Sequence, residues 1–246
     1  MEASWAFSDW TLAIAPLFAS VIWVGLEVLS NIIPLVCRNT IPDALIPVKG
    51  KHLDEFESTD KWYIFINKIL TVTFVYHLIW ACTVVQSIKW APEEVTVWNT
   101  LGSLVAFYLF YDLLYMQFHR ILHLRSLYAF VHKHHHRQKA PSRGNLDAIN
   151  VHPFEFVVGE YLHLLTICVI PCHIYTVVYF ILAGGILASL NHTRFDVQIP
   201  YLYNVKVHDV HHRLPESNYA QYTMFLDWLF GSYRSYDQNM SAKGEE

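Results

Sequence analysis

Histidine is the residue type that decides how this chain reads. His119 and His123 stand four apart, His132, His135 and His136 spell HxxHH, and His208, His211 and His212 repeat that spelling. His192 follows Asn191 between the second and third clusters. Neutral imidazole is the commonest metal ligand, and side chains at i, i+3 and i+4 of a helix share one face. Each cluster is therefore predicted to present its rings together, and the nine imidazoles suffice for two metal ions. One cluster alone suits a structural or adventitious metal site equally well. Three, separated by long apolar runs, are predicted to converge. Imidazole suits Fe, Zn and Cu alike, so residue type does not name the metal. The scarcity of thiolates and carboxylates around the clusters argues against structural zinc and against the carboxylate-rich di-iron sites of soluble bundles.

Other polar residues have a functional and a plain reading. Asp112 lies two helical turns before His119 on the same face. A buried carboxylate is costly unless paired, and orienting a metal-bound imidazole would supply the partner; a helix–helix hydrogen bond is the plainer alternative. Asp209 and Asp227 suit the same orienting work or helix capping. His152, before Pro153, is a ligand, a partner of a ligand or a helix-start residue. His134 is predicted to point away from its ligating neighbours. His163 and His173 sit in apolar sequence, where a hydrogen-bonded or interfacial histidine is the commoner case, and His52 and His77 are isolated. Asn218 is a turn candidate. Phe107, Tyr108, Phe110, Tyr111 and Tyr115 form a stripe that packs in a core or faces lipid, or walls a cavity leading to metal.

The elements that must position these residues are membrane helices. Of 246 residues, 54% are hydrophobic and only 15% charged, against about 25% charged in a soluble domain. Apolar runs extend over 10–37, 62–88 and 95–118, each long enough for a hydrocarbon core that needs about 20 residues. A fourth, 154–190, is too long for one crossing; Pro171 and Gly184-Gly185 punctuate it, which predicts a helical hairpin. The fold class expected is all-α: an integral membrane bundle of three crossings plus that hairpin, about four spans, with a histidine-rich cap. A single membrane domain is expected over 1–246, with anchor helices and loop in 1–95, the histidine-box region in 96–235 and a tail in 236–246. The first run has no Lys or Arg before it and is too long for a cleaved signal, so it reads as an uncleaved anchor. Basic residues in the 38–61 loop put that loop, and with it both histidine regions, in the cytosol. The net charge of -4 with no basic stripe gives no sign of nucleic-acid binding. Cys37, Cys82, Cys168 and Cys172 lack CxxC spacing and read as packed, reduced thiols.

Together these motifs resemble the fatty acid hydroxylase superfamily, which includes sterol methyl oxidases and sterol desaturases. Besides the three boxes, Asp112 to Tyr115 before His119-Arg120 resembles the helix leading into the family's first box. His152-Pro153-Phe154-Glu155 resembles its HPxE segment. Asn191-His192 resembles its lone central histidine, and the stretch from His208 through Asn218-Tyr219 to Asp227 and Gly231 its C-terminal signature. The resemblance covers roughly residues 100–235. It implies that His119, His123, His132, His135, His136, His192, His208, His211 and His212 hold two iron ions. Some members carry another histidine four residues before the central one; here Ala188 stands there, which leaves the second metal with an open position or another ligand such as His152.

The activity implied is O2-dependent hydroxylation of a C–H bond in a sterol or fatty-acyl lipid, in the endoplasmic reticulum membrane. Electrons would come from NAD(P)H through cytochrome b5 and its reductase, in trans because the chain has no room for a haem domain. A desaturase with the same ligands is the nearest alternative. A histidine-rich metal transporter or non-catalytic scaffold is remote, since the histidines lie at span ends rather than along an ion path.

Overall fold

A computed structural model of the chain describes residues 14–48 and 51–236. The start of the first apolar run, residues 10–13, and residues 237–246 of the tail lie outside them. The fold is all-α. The first helix, α1 (Ile14–Thr40), is followed by α2 (Ser58–Val84) and α3 (Ser103–Leu122), the last entered through a π-helical turn, Trp98–Gly102. Short helices α4 (Arg125–Leu127) and α5 (Asn145–Ala148) flank the second histidine box. The hairpin helices are α6 (Pro153–Val169) and α7 (Ile174–Asn191); α8 (Val205–Arg213) carries the third box, and α9 (Phe225–Leu229) follows.

Among the described residues, four helical stretches are long and apolar enough to cross a membrane: Ile14–Thr40, Ser58–Val84, Trp98–Leu122 and Ile174–Asn191. The chain is a multi-pass membrane bundle, with α6 packed against α2 and α3 beside those spans. Local chemistry shifts the expected boundaries. The helix α2 starts at Ser58 rather than at Trp62 because the Asp60 carboxylate accepts the Glu57 backbone N–H at 2.7 Å, closing the first turn. The helix α3 continues past Phe118 to Leu122, so His119 sits in its last turn and His123 caps it. In the hairpin, Pro171 marks the break, whereas Gly184-Gly185 lies inside an unbroken α7. Removing the Cβ at position 184 serves packing, as argued below.

Two pairs of very short strands tie the ends of the bundle. At one end β1 (Ile88–Lys89) runs parallel to β2 (Cys172–His173), and the Ser103 hydroxyl donates to the carbonyl of Pro171 at 2.6 Å. Near the other end β3 (Gln198–Ile199) pairs antiparallel with β4 (Tyr203–Asn204). The 38–61 loop meets the second histidine box there: Lys139 N–H donates to the carbonyl of Lys51 at 2.9 Å, and Leu53 N–H to the side-chain oxygen of Gln138 at 3.0 Å. That loop and the box thus occupy the same end, as the sequence-derived topology requires. Between the two ends the main core joins Phe74, Leu78, Phe107, Tyr111, Ile167, Val177, Phe180 and Tyr222 from α2, α3, α6, α7 and the C-terminal segment.

Candidate metal centre

The nine histidines of the boxes converge, but not box by box. One group is His119, His123, His132, His136 and His211; the other is His135, His192, His208 and His212, and in each the donor atoms lie within 4.8 Å of one another. The expectation that each HxxHH box presents one face is therefore corrected. Residues 128–132 form a π-helical turn and 135–137 a 3-10 turn, so the helical i, i+3, i+4 register does not hold across the second box. His132 and His136 turn to the first group and the intervening His135 to the second. On α8 the helix is regular, and the rotation of about 100° per residue does the same work: His208 and His212 face one group, His211 the other. Every HxxHH box serves both groups. The groups adjoin, with the His136 and His212 ring centroids 5.1 Å apart.

Hydrogen bonds at the far ring nitrogens fix what the near ones can do. The Nδ1–H groups of His119, His192 and His211 donate to the carbonyls of Tyr219 at 2.8 Å, Ala188 at 2.8 Å and Ser217 at 2.7 Å. His132 Nδ1–H donates to the Glu155 carboxylate at 2.8 Å. A neutral imidazole that donates from Nδ1 has only a lone pair at Nε2. Yet the Nε2 atoms of His119 and His132 face each other at 3.0 Å in a buried site. Two lone pairs at that distance repel unless a cation lies between them. Burial also holds the His123, His135, His136, His208, His211 and His212 imidazoles below their ordinary titration range, so protons do not fill the role at neutral pH. The Nε2 atoms of His123 and His211 are buried without a hydrogen-bond partner.

The spacing fits a metal ion. Metal–imidazole bonds of about 2.0–2.1 Å place neighbouring donors roughly 2.9–3.4 Å apart for right-angled to tetrahedral geometry. The Nε2 pairs His132–His136, His192–His208, His208–His212 and His135–His192 stand at 2.9, 3.2, 3.1 and 3.3 Å. The donor set is imidazole throughout, and none of the free cysteines belongs to it.

The three further residues singled out in the sequence lie around these groups rather than in them. Asp112 hydrogen-bonds no imidazole. Its carboxylate accepts the backbone N–H groups of Gln221, Tyr222 and Thr223 at 3.2, 3.0 and 2.7 Å and the Thr223 hydroxyl at 2.7 Å, which pins the C-terminal segment to α3. Asp209 is paired with the guanidinium groups of Arg194 and Arg213, tying α8 to the residues that follow His192. His152 caps α6, its Nδ1 accepting the Phe154 N–H at 3.2 Å, and its ring lies edge-on to Tyr63. It belongs to neither group, so it does not take the place that Ala188 leaves. Asp227 accepts the N–H groups of Tyr219 and Ala220 and so positions the carbonyl that His119 uses. His134 turns outward to Asp60 and Asn150 at 2.9 Å each. Among the described residues Glu155 is the one carboxylate that hydrogen-bonds a box imidazole; its signal in the sequence is the HPxE spelling, whose last letter it is.

A sequence model of the fatty acid hydroxylase family matches residues 104–232, which contain all nine histidines, and the chain belongs to that family. It is 29% identical over 188 residues to a cholesterol 25-hydroxylase-like protein of Caenorhabditis elegans, covering 70% of this chain and 61% of that one. It is 32% identical over 162 residues to lathosterol oxidase of Rattus norvegicus, with 59% and 53% covered. A Delta(7)-sterol-C5(6)-desaturase of Nicotiana tabacum is 25% identical over 118 residues, with 47% and 44% covered. The chain spans about half the length of the relatives it matches. No solved structure matches. These relatives are named as a sterol hydroxylase-like protein, a sterol oxidase and a sterol desaturase.

Proposed function

We propose that the protein hydroxylates a C–H bond of a sterol or fatty-acyl lipid with O2. His119, His123, His132, His136 and His211 would hold one iron ion and His135, His192, His208 and His212 the other. The observation that carries the reading is the pair of adjoining all-imidazole groups whose Nε2 lone pairs converge at the edge of an apolar bundle. When bound, the iron pair supplies the O2-activating chemistry. The chain's own residues aim the imidazoles through Glu155 and the carbonyls of Ala188, Ser217 and Tyr219, and exclude water by burial. In balance, one oxygen atom enters the C–H bond and the other leaves as water, taking up two electrons and two protons. Cytochrome b5 and its NAD(P)H-dependent reductase are the proposed electron source. The proposed setting is the endoplasmic reticulum membrane, with the histidine end facing the cytosol, and residues 1–246 acting as one membrane domain.

Desaturation is the second reading, favoured by the relative named as a sterol desaturase. It uses the same donors and electrons but removes two hydrogens from adjacent carbons and releases both oxygen atoms as water. The test is a lipid mass profile of cells expressing the chain with cytochrome b5 and its reductase, beside the His135→Ala/His136→Ala double variant. A wild-type-specific lipid that gains one 18O from 18O2 establishes hydroxylation. A product lighter by two hydrogens establishes desaturation. Identical profiles with both proteins present would defeat both readings.

A further inference from the structure

Tyr222 and His163 form a buried hydrogen-bonded pair in the main core, and neither belongs to a histidine group. The Nδ1–H of His163 donates to the carbonyl of Gly159 at 3.0 Å, which leaves a lone pair at Nε2. The Tyr222 hydroxyl donates to that lone pair at 2.7 Å. Any buried phenol needs a partner, but the partner is elsewhere a carbonyl: Tyr203 donates to Leu187 at 3.0 Å and Tyr111 to Gly159 at 3.4 Å. A carbonyl does not take the proton. An imidazole does, and 2.7 Å lies within the roughly 2.6–3.2 Å reach of a general base. An ionisable side chain inside an apolar bundle is costly and points to function. The surroundings fix the pair in place. Asp112 holds the Tyr222 backbone N–H at 3.0 Å, and Tyr111 covers the His163 ring at a centroid separation of 4.0 Å. Gly184 makes room for the phenol oxygen, since a Cβ there would stand 2.7 Å from it.

From Tyr222 a line of aromatic rings leads to the five-histidine group. Tyr111, Tyr115 and His119 stand four apart on α3 and so share one helical face. Ring centroids are 5.1 Å apart from Tyr222 to Tyr111 and 5.3 Å apart from Tyr115 to His119. Between them Tyr111 and Tyr115 stack at 5.7 Å with their planes within 14°. A phenol gives up an electron readily only when its proton leaves at the same time. Among the described residues, Tyr222 is the one tyrosine on this line whose hydroxyl meets an imidazole. It is therefore the site on the line where an oxidising equivalent comes to rest.

We propose that Tyr222 is a built-in one-electron donor to the five-histidine group, with His163 holding its proton. The proposal rests on the oxygenase reading, which supplies O2 as the oxidant. One electron leaves Tyr222 along the rings of Tyr111 and Tyr115 and is consumed in reducing O2, while the phenolic proton moves to His163 Nε2. A neutral phenoxyl radical then stands beside an imidazolium. One electron from the external reductant and return of that proton restore the phenol. Such a donor drains oxidising power when no lipid is in place, before the box imidazoles are themselves oxidised.

The test drives the full chain in detergent micelles with two oxidants. In the first arm the iron-loaded chain, reduced and free of added lipid substrate, is mixed with O2 and freeze-quenched. Electron paramagnetic resonance is expected to show a tyrosyl radical whose lines change with ring-deuterated tyrosine and with 15N-histidine. Tyr222→Phe should lower that signal at least tenfold and raise 2-oxo-histidine in the box peptides at least threefold. His163→Gln still accepts the hydrogen bond but not the proton, so it should lower the signal as far at unchanged metal content and unfolding midpoint. Tyr115→Leu, which breaks the line of rings, should lower it at least fivefold at unchanged metal content. Tyr161→Phe removes a hydroxyl that meets His77 at 2.7 Å away from this line, and should leave the signal within twofold. In the second arm the metal-free chain carries a ruthenium photo-oxidant tethered at Arg120→Cys, an exposed position next to His119, and a light flash replaces O2. The same Tyr222-dependent radical is expected. Its absence in both arms, or lines indifferent to 15N-histidine, would overturn the proposal, and unchanged histidine oxidation in Tyr222→Phe would overturn the draining role. A Tyr222 radical after the flash but none with O2 would instead leave the donor standing and sink the oxygenase reading, so the two failures are distinguishable.

Discussion

His135 and His136 are neighbours in the chain, yet their rings stand 80° apart and enter different histidine groups. The second box is thus a hinge between two sites rather than a ligand face of one. Single substitutions should separate them. His136→Ala removes a donor from the five-histidine group and His135→Ala one from the four-histidine group. Each is expected to lower bound metal from two ions per chain towards one, and the double variant to lower it further. Elemental analysis of purified protein checks this. Equal loss of both ions from either single variant would show that the groups bind metal only as a unit.

Glu155 should act on metal affinity without being a ligand. Its carboxylate fixes His132 with Nδ1–H outward and the Nε2 lone pair inward. Outer partners of this kind are worth about 10–100-fold in metal affinity. Glu155→Ala is expected to weaken metal binding by about that factor, and Glu155→Gln by less, because its amide oxygen can still accept from Nδ1. Competitive titration with a chelator measures both. The effect should fall on the five-histidine group alone, since no member of the other bonds Glu155.

The sequence exposed the site's members more fully than their grouping. Residue type and spacing picked out the nine histidines that converge, because imidazoles in boxes between apolar runs have few other uses. In both HxxHH boxes positions i and i+4 join one group and i+3 the other, a finer split than the single shared face that the spacing suggests. Asp112 shows the same limit. Its helical register with His119 predicted a partner on its own helix, but its donors come from residues 221–223, over 100 positions away. The spans were legible because apolar length is written directly in composition. The polar caps that move their ends, such as Asp60 on Glu57, are tertiary detail.

Gly184 and Gly185 look alike in sequence and differ in the fold. A Cβ on Gly184 would lie 2.7 Å from the Tyr222 hydroxyl, which bonds His163 Nε2 at 2.7 Å. The Tyr222 backbone is held by Asp112, so its ring has little room to withdraw. A Cβ on Gly185 would meet only Leu29, at 3.7 Å. Gly184→Ala is therefore expected to destabilise by about 1–3 kcal/mol through overpacking, roughly 2–12 °C in unfolding midpoint for a chain of this size. Gly185→Ala should leave the midpoint within about 1 °C of the wild type or raise it slightly, because alanine favours helix. Thermal unfolding in detergent micelles compares the pair, and equal effects would refute the packing argument.

The pH dependence of stability should reveal whether metal is bound. Burial pushes the His123 imidazole down to about 3 and holds those of His135, His136, His208, His211 and His212 well below their ordinary value. In the unfolded chain histidine titrates near 6.5. Below that pH the unfolded state binds protons that the metal-free folded state refuses, so stability must fall as pH falls. The metal-free protein is therefore expected to lose unfolding midpoint steadily between about pH 7 and 5. Metal binds the folded groups and adds stability in proportion to its occupancy, so the loaded protein should keep a higher midpoint over that interval. The gap should close only where protons displace the metal from its imidazoles. Midpoints measured across that range, with metal present and after chelation, test this directly. Parallel curves with no gap would mean that the histidine groups do not hold metal in the folded protein.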